Sequence, residues 1–163
     1  MPFGLTYAEF VIGIGLSMFF GPVDLAPQTQ QNAVSIGTAV QPWDQPWDED
    51  FITFTHRRDG VVWGKFTPIY AIGLSDQGTA FVSAGLGRPL DVLGIKVLPF
   101  TGPALYFDNR NNDIVQFRTG FDITQNLGDN VMLSGGYYHI SNAQANAPSA
   151  DIDVAHLGIT LRF

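Results

Sequence analysis

Four residues near the C-terminal end of this 163-residue chain are of the types that build a hydrolytic site. In the segment "YYHISNAQANAPSADIDVAHLGITLRF", residues 137–163, His139 and Ser141 stand two apart, and Asp151 and Asp153 follow across a short polar stretch. A serine hydroxyl is a weak nucleophile until a base in hydrogen-bond reach takes its proton. The base in turn needs an acidic partner that fixes its tautomer and stabilises the imidazolium. Ser141, His139 and either Asp153 or Asp151 fill those roles, and the chemistry would be acyl transfer through an ester on Ser141, with no metal or cofactor. The plainer reading is a hydrated rim with incidental polar residues, since H-x-S is a common tripeptide.

What positions these side chains is the period-two pattern around them. On a strand, residues two apart share a face. His139 and Ser141 therefore lie with Val131, Leu133 and Tyr137, while Asp151 and Asp153 are in phase with Ala155, Leu157, Ile159, Leu161 and Phe163. Residues 142–150 return the chain antiparallel, which brings both groups to one end of a sheet. Ionisable groups on an otherwise apolar, lipid-directed face are costly, and function is the default explanation for them.

The same alternation recurs along the chain without a convincing helical stretch. Only 14% of residues are charged, against roughly 25% in ordinary soluble domains, and 45% are hydrophobic. There is no cysteine, so disulfides and thiolate metal sites are excluded. The net charge of −7, with eight basic residues forming no stripe, argues against a nucleic-acid partner. The longest apolar run, residues 10–23, falls short of the roughly 20 residues a spanning helix needs.

Turn signals ("RRDG", "SDQG", "DNRNND", "NLGDN") separate strands expected near 51–57, 61–74, 79–88, 95–106, 113–125, 130–141 and 152–163. Residues 5–20 also alternate and are read as strand one; the alternative, a signal sequence, would need positive charge before its apolar run. Segment 33–40, "AVSIGTAV", is a ninth candidate, assigned to a loop or strand extension; it becomes strand one if 5–20 is a signal sequence. The expectation is one domain over residues 1–163, an all-β, eight-stranded antiparallel transmembrane β-barrel of the bacterial outer membrane. Side chains fill a barrel of this size, so a transport pore is not expected. A soluble barrel would reverse the pattern, with apolar residues inside. Arg118 and Asp122 fall on the polar face of their strand and read as an inward ion pair. Short turns and C-terminus normally lie on the periplasmic side, so the His/Ser/Asp end is expected to be extracellular.

The residues so far resemble a known family, the PagL-type lipid A 3-O-deacylases. The resemblance rests on "HISNA" (residues 139–143) with an acidic residue 14 positions after the histidine, here Asp153, supported by "FRTGF" and the terminal Phe163. It covers about the last 50 residues well and the first 90 only vaguely. It implies a lipid A deacylase with its triad on the barrel exterior, near the extracellular end. Ser141 would then be the nucleophile, His139 the base, Asp153 the acidic member and Asn142 an oxyanion-hole donor. Lipid A or lipopolysaccharide in the outer leaflet would be the substrate. The family's acidic residue is a glutamate, one methylene longer, so Asp153 is expected to need a small backbone adjustment to reach His139. The family's glycine after "SNA" is here Gln144. An apolar alternation ending on Phe163 also resembles the signal read by the outer-membrane assembly machinery. The alternative function is a barrel of the same architecture without catalysis, with a structural or surface-interaction role.

Other features are less specific. "QPWDQPWDED" places Trp43 and Trp47 in an acidic loop, as interfacial anchors. Asp44, Asp48, Glu49 and Asp50 lack calcium-loop spacing. His56 and His156 are read as structural, and no phosphate loop, dinucleotide fingerprint or metal-histidine motif is present.

Overall fold

The computed structural model describes residues 31–39, 49–58, 62, 66–92, 95–108, 114–142 and 152–163. They form nine labelled strands: β1 (Gln31–Ala39), β2 (Asp50–Arg57), β3 (Thr67–Ser75), β4 (Ala80–Gly87), β5 (Leu90–Val92), β6 (Ile95–Phe107), β7 (Val115–Asn126), β8 (Val131–Ser141) and β9 (Ile152–Arg162). The sheet runs β4-β3-β2-β1-β9-β8-β7-β6-β5, and pairing of β4 with β6 closes it. Every neighbouring pair is antiparallel.

The barrel has eight strands because β4 and β5 are one strand interrupted at Arg88–Pro89. Gly87 pairs with Phe100 and Leu90 with Val97 in one continuous register, and Arg88 N donates to Pro99 O across the gap. Pro89 lacks an N–H, which breaks the ladder without bending it away. A second gap falls at Pro103. Pairing of β4 with β6 passes from Ser83–Ala104 to Leu86–Thr101, and the two backbones close in on each other at Gly85 and Gly102. A Cβ on Gly102 would sit 2.2 Å from Ala84 O and 2.4 Å from Gly85 Cα, so only glycine fits.

Among the described residues, the first strand is Gln31–Ala39. It pairs with β2 on one side and β9 on the other, filling the seam completely. The alternating segment 5–20 lies outside the described residues, as do Trp43 and Trp47. The third strand also begins later than expected, at Thr67; Val62 and Phe66 instead bond to each other as an isolated bridge.

Apolar residues dominate the outward positions: Ile36, Ile52, Ile72, Val82, Leu105, Val115, Ile123, Leu133 and Leu157 are exposed. Ile159 and Leu161 also face out, the reverse of a soluble barrel. An exterior so largely apolar is stable only against lipid. Inside, Phe51, Ile69, Phe81, Phe100, Tyr106, Tyr138, Ile140, Ile152 and Val154 pack into one cluster. The charged residues sit beside it. Asp122 pairs with Arg57, and its other oxygen lies 3.0 Å from His156 Nε2. The expected Arg118–Asp122 pair does not form. Four residues along a strand separate two side chains by about 13 Å, and the Arg118 guanidinium instead lies over the rings of Tyr138 and Phe100, at 4.3 and 4.5 Å.

The strand ends at Ala39, Asp50, Ser75, Ala80, Phe107, Val115, Ser141 and Ile152 gather at one end of the barrel. Gln31, Arg57, Thr67, Asn126, Val131 and Arg162 mark the other, with Phe163. The candidate residues sit at the first end.

Candidate active site on the outer wall

Strands β8 and β9 place the candidate residues by register. His139 lies directly opposite Asp153, and one residue nearer the loop Ile140 opposes Ile152. Ile140 and Ile152 point into the barrel and are buried in its core cluster. They anchor the two backbones from behind, and His139 and Asp153 project from the opposite face.

His139 Nδ1 lies 2.6 Å from Asp153 Oδ1. An ionised carboxylate only accepts hydrogen bonds, so this contact puts the proton on Nδ1 and leaves Nε2 as the basic nitrogen. The shorter acidic side chain reaches His139 within a regular ladder. The ladder is unbroken from Val131–Leu161 to Ile140–Ile152, and directly opposed residues have Cβ atoms about 4.5–5.5 Å apart, a span that imidazole and carboxylate close. The Tyr137 hydroxyl also donates to Asp153 Oδ1.

Ser141 follows on the same outer phase, opposite Phe117 of β7. Its hydroxyl is not hydrogen-bonded to His139 Nε2 in this structure. Residues two apart on a strand are separated by about 6–7 Å along it, so the serine must turn towards the imidazole to react. Such contacts commonly tighten only with substrate bound. His139 and Ser141 are 5% and 3% exposed, and this dry setting strengthens the His139–Asp153 bond. Asn142 is buried immediately after the strand. Asp151 lies outside the described residues.

A polar row continues away from the pair. Thr119 of β7 is the cross-strand partner of His139, and its Oγ1 lies 2.8 Å from that of Thr101 on β6. Neither Thr119 nor Tyr137 was assigned a role from the sequence. Both are in phase with the site, but only the cross-strand register reveals the proximity of Thr119. A groove of about 390 Å³, lined by Phe54, Tyr70, Ile72, Ala84, Pro103 and Leu105 among others, opens on a different part of the wall and does not include the site. His56 faces outward with its Nδ1 2.7 Å from Asn32 Oδ1. Among the described residues, no group of three His, Asp or Glu is placed to hold a metal ion.

Fold and apolar wall together define the chain as an eight-stranded β-barrel of the outer-membrane type. No protein-family model matches it, and no curated protein matches it in sequence. Solved structures match its fold. A de novo designed transmembrane β-barrel superposes with a TM-score of 0.64 at 14% identity, covering 86% of this chain and all of that one. The outer membrane enzyme PagL gives 0.62 at 12% identity, over 82% of this chain and 99% of its own. The Yersinia pestis outer membrane protein Ail, in phospholipid bilayer nanodiscs, gives 0.52 at 11% identity, over 83% and 100%.

Proposed function

We propose that this barrel resides in the bacterial outer membrane and hydrolyses an ester-linked acyl chain of lipid A, the 3-O chain by its resemblance to the PagL-type deacylases. The observation that carries the reading is the His139–Asp153 pair, 2.6 Å apart on a wall otherwise built for lipid. Such a pair is costly there unless it is used. The fold it shares with the outer membrane enzyme PagL is consistent with that use.

In the proposed reaction Ser141 Oγ attacks the ester carbonyl while His139 Nε2 takes its proton. The tetrahedral oxyanion, with Asn142 as a donor, collapses as the imidazolium returns the proton to the departing sugar alcohol. Water, deprotonated by the same nitrogen, then releases the fatty acid and restores Ser141. Asp153 keeps the Nδ1–H tautomer and stabilises the imidazolium in both halves. Everything happens against the outer wall, so the acyl chain never leaves an apolar surrounding.

One observation favours the alternative, a barrel without catalysis: the Ser141 hydroxyl does not rest on His139 Nε2. Mass spectrometry of lipid A from cells with and without the protein separates the two. The deacylase removes the mass of one hydroxyacyl chain; a non-catalytic barrel leaves lipid A unchanged.

A further inference from the structure

We propose that Tyr137 is a positioning residue of the same site, holding the Asp153 carboxylate for His139; the role in catalysis rests on the deacylase reading above. Tyr137 precedes His139 by two residues on β8 and shares its outward phase. Its direct cross-strand partner is Ala155, whose methyl leaves the ring free to lean along the strand. Asp153 is then the diagonal neighbour, a separation that aromatic side chains span. The ring is steadied from β7 by Phe121, with centroids 6.4 Å apart and planes at 32°.

The hydroxyl donates to Oδ1, the same oxygen that faces His139 Nδ1. That coincidence is the core of the argument. A carboxylate held by one donor can rotate about its Cβ–Cγ bond and present either oxygen. Two donors arriving at one oxygen from β8 select that oxygen and fix the plane. The imidazole is thereby kept as the Nδ1–H tautomer, with Nε2 as the base.

The test is Tyr137→Phe, which removes only that hydroxyl, with folding checked by heat-modifiable migration on gels. The chain has three histidines, so ¹⁵N-histidine spectra in detergent micelles are simple, and His139→Gln assigns the resonance. In the native protein His139 is expected as the Nδ1–H tautomer, and Tyr137→Phe converts a measurable fraction to the other form. With lipid A as substrate, kcat is expected to fall about tenfold with KM within twofold, the pattern of a lost general-base interaction. In an Asp153→Ala background the same substitution should cost nothing further, because the group it positions is gone. An unchanged His139 tautomer in Tyr137→Phe overturns the proposal, and so does an equal loss of activity in both backgrounds. If the native protein releases no fatty acid at all, the deacylase reading fails, while the tautomer still decides whether Tyr137 holds Asp153.

Discussion

Replacing Asp153 by Asn removes a charge while nearly preserving a shape, and the geometry fixes how much that should matter. Both His139 Nδ1 and the Tyr137 hydroxyl address Oδ1. An asparagine that keeps its carbonyl oxygen there still accepts both bonds, so the tautomer survives. What disappears is the attraction between the carboxylate and the imidazolium that forms in the proposed reaction when Ser141 gives up its proton. For close charges near a protein surface, with an effective dielectric of about 20, that attraction is on the order of 4 kcal/mol. Each 1.36 kcal/mol is a factor of ten in rate, so kcat should fall about 1000-fold. Asp153→Ala also loses the acceptor and should approach the roughly 10⁴-fold loss of a site with the wrong tautomer. Asp151→Asn should stay within a few-fold of the native rate. The assay is fatty-acid release from lipid A in mixed micelles, corrected for the folded fraction. Asp153→Asn within tenfold of the native rate would refute this reasoning, and equal losses in Asn and Ala would refute its tautomer part.

Three further outcomes test the barrel. Arg57→Ala should destabilise it by about 3–5 kcal/mol, by stranding the Asp122 charge beside His156 in the lumen, read as a shift of the denaturant midpoint in micelles. Gly102→Ala should lower the folded yield on refolding, since its Cβ meets the Ala84 carbonyl and the Gly85 Cα, backbone that cannot swing aside; overpacking of this kind costs about 1–3 kcal/mol or more. Ile159→Arg, on the lipid face, should cost up to about 2–4 kcal/mol in bilayers if it lies near the midplane, and the loss should shrink in small-headgroup detergents, where water reaches the wall.

The strand pattern was legible because lipid enforces it. An outward residue on a strand such as β9 must be apolar and its neighbour need not be, so Leu157, Ile159 and Leu161 announce their face without help from the rest of the chain. Periodicity does not say which of two alternating segments occupies a seam. Residues 5–20 and 31–39 both alternate, and only pairing with β2 and β9 assigns strand one to the second. Charge partners were illegible for a related reason. Arg118 and Asp122 share an inward phase, but the bonding partners of Asp122 come from β2 and β9, whose registers no local pattern encodes. The site was partly legible: phase put His139, Ser141 and Asp153 on the wall at one end. The direct opposition of His139 and Asp153 is a matter of the β8–β9 register, which phase alone does not set.

The central claim is that Ser141 carries the acyl group during hydrolysis. Purified, folded barrel mixed with lipid A and quenched within the first turnover should show, by peptide mass spectrometry, one acyl chain on the peptide containing Ser141. Lipid A lighter by the same chain should follow in the native protein and be absent in Ser141→Ala. Deacylated lipid A produced at the native rate by Ser141→Ala would contradict the account, as would lipid A left intact by the folded native barrel.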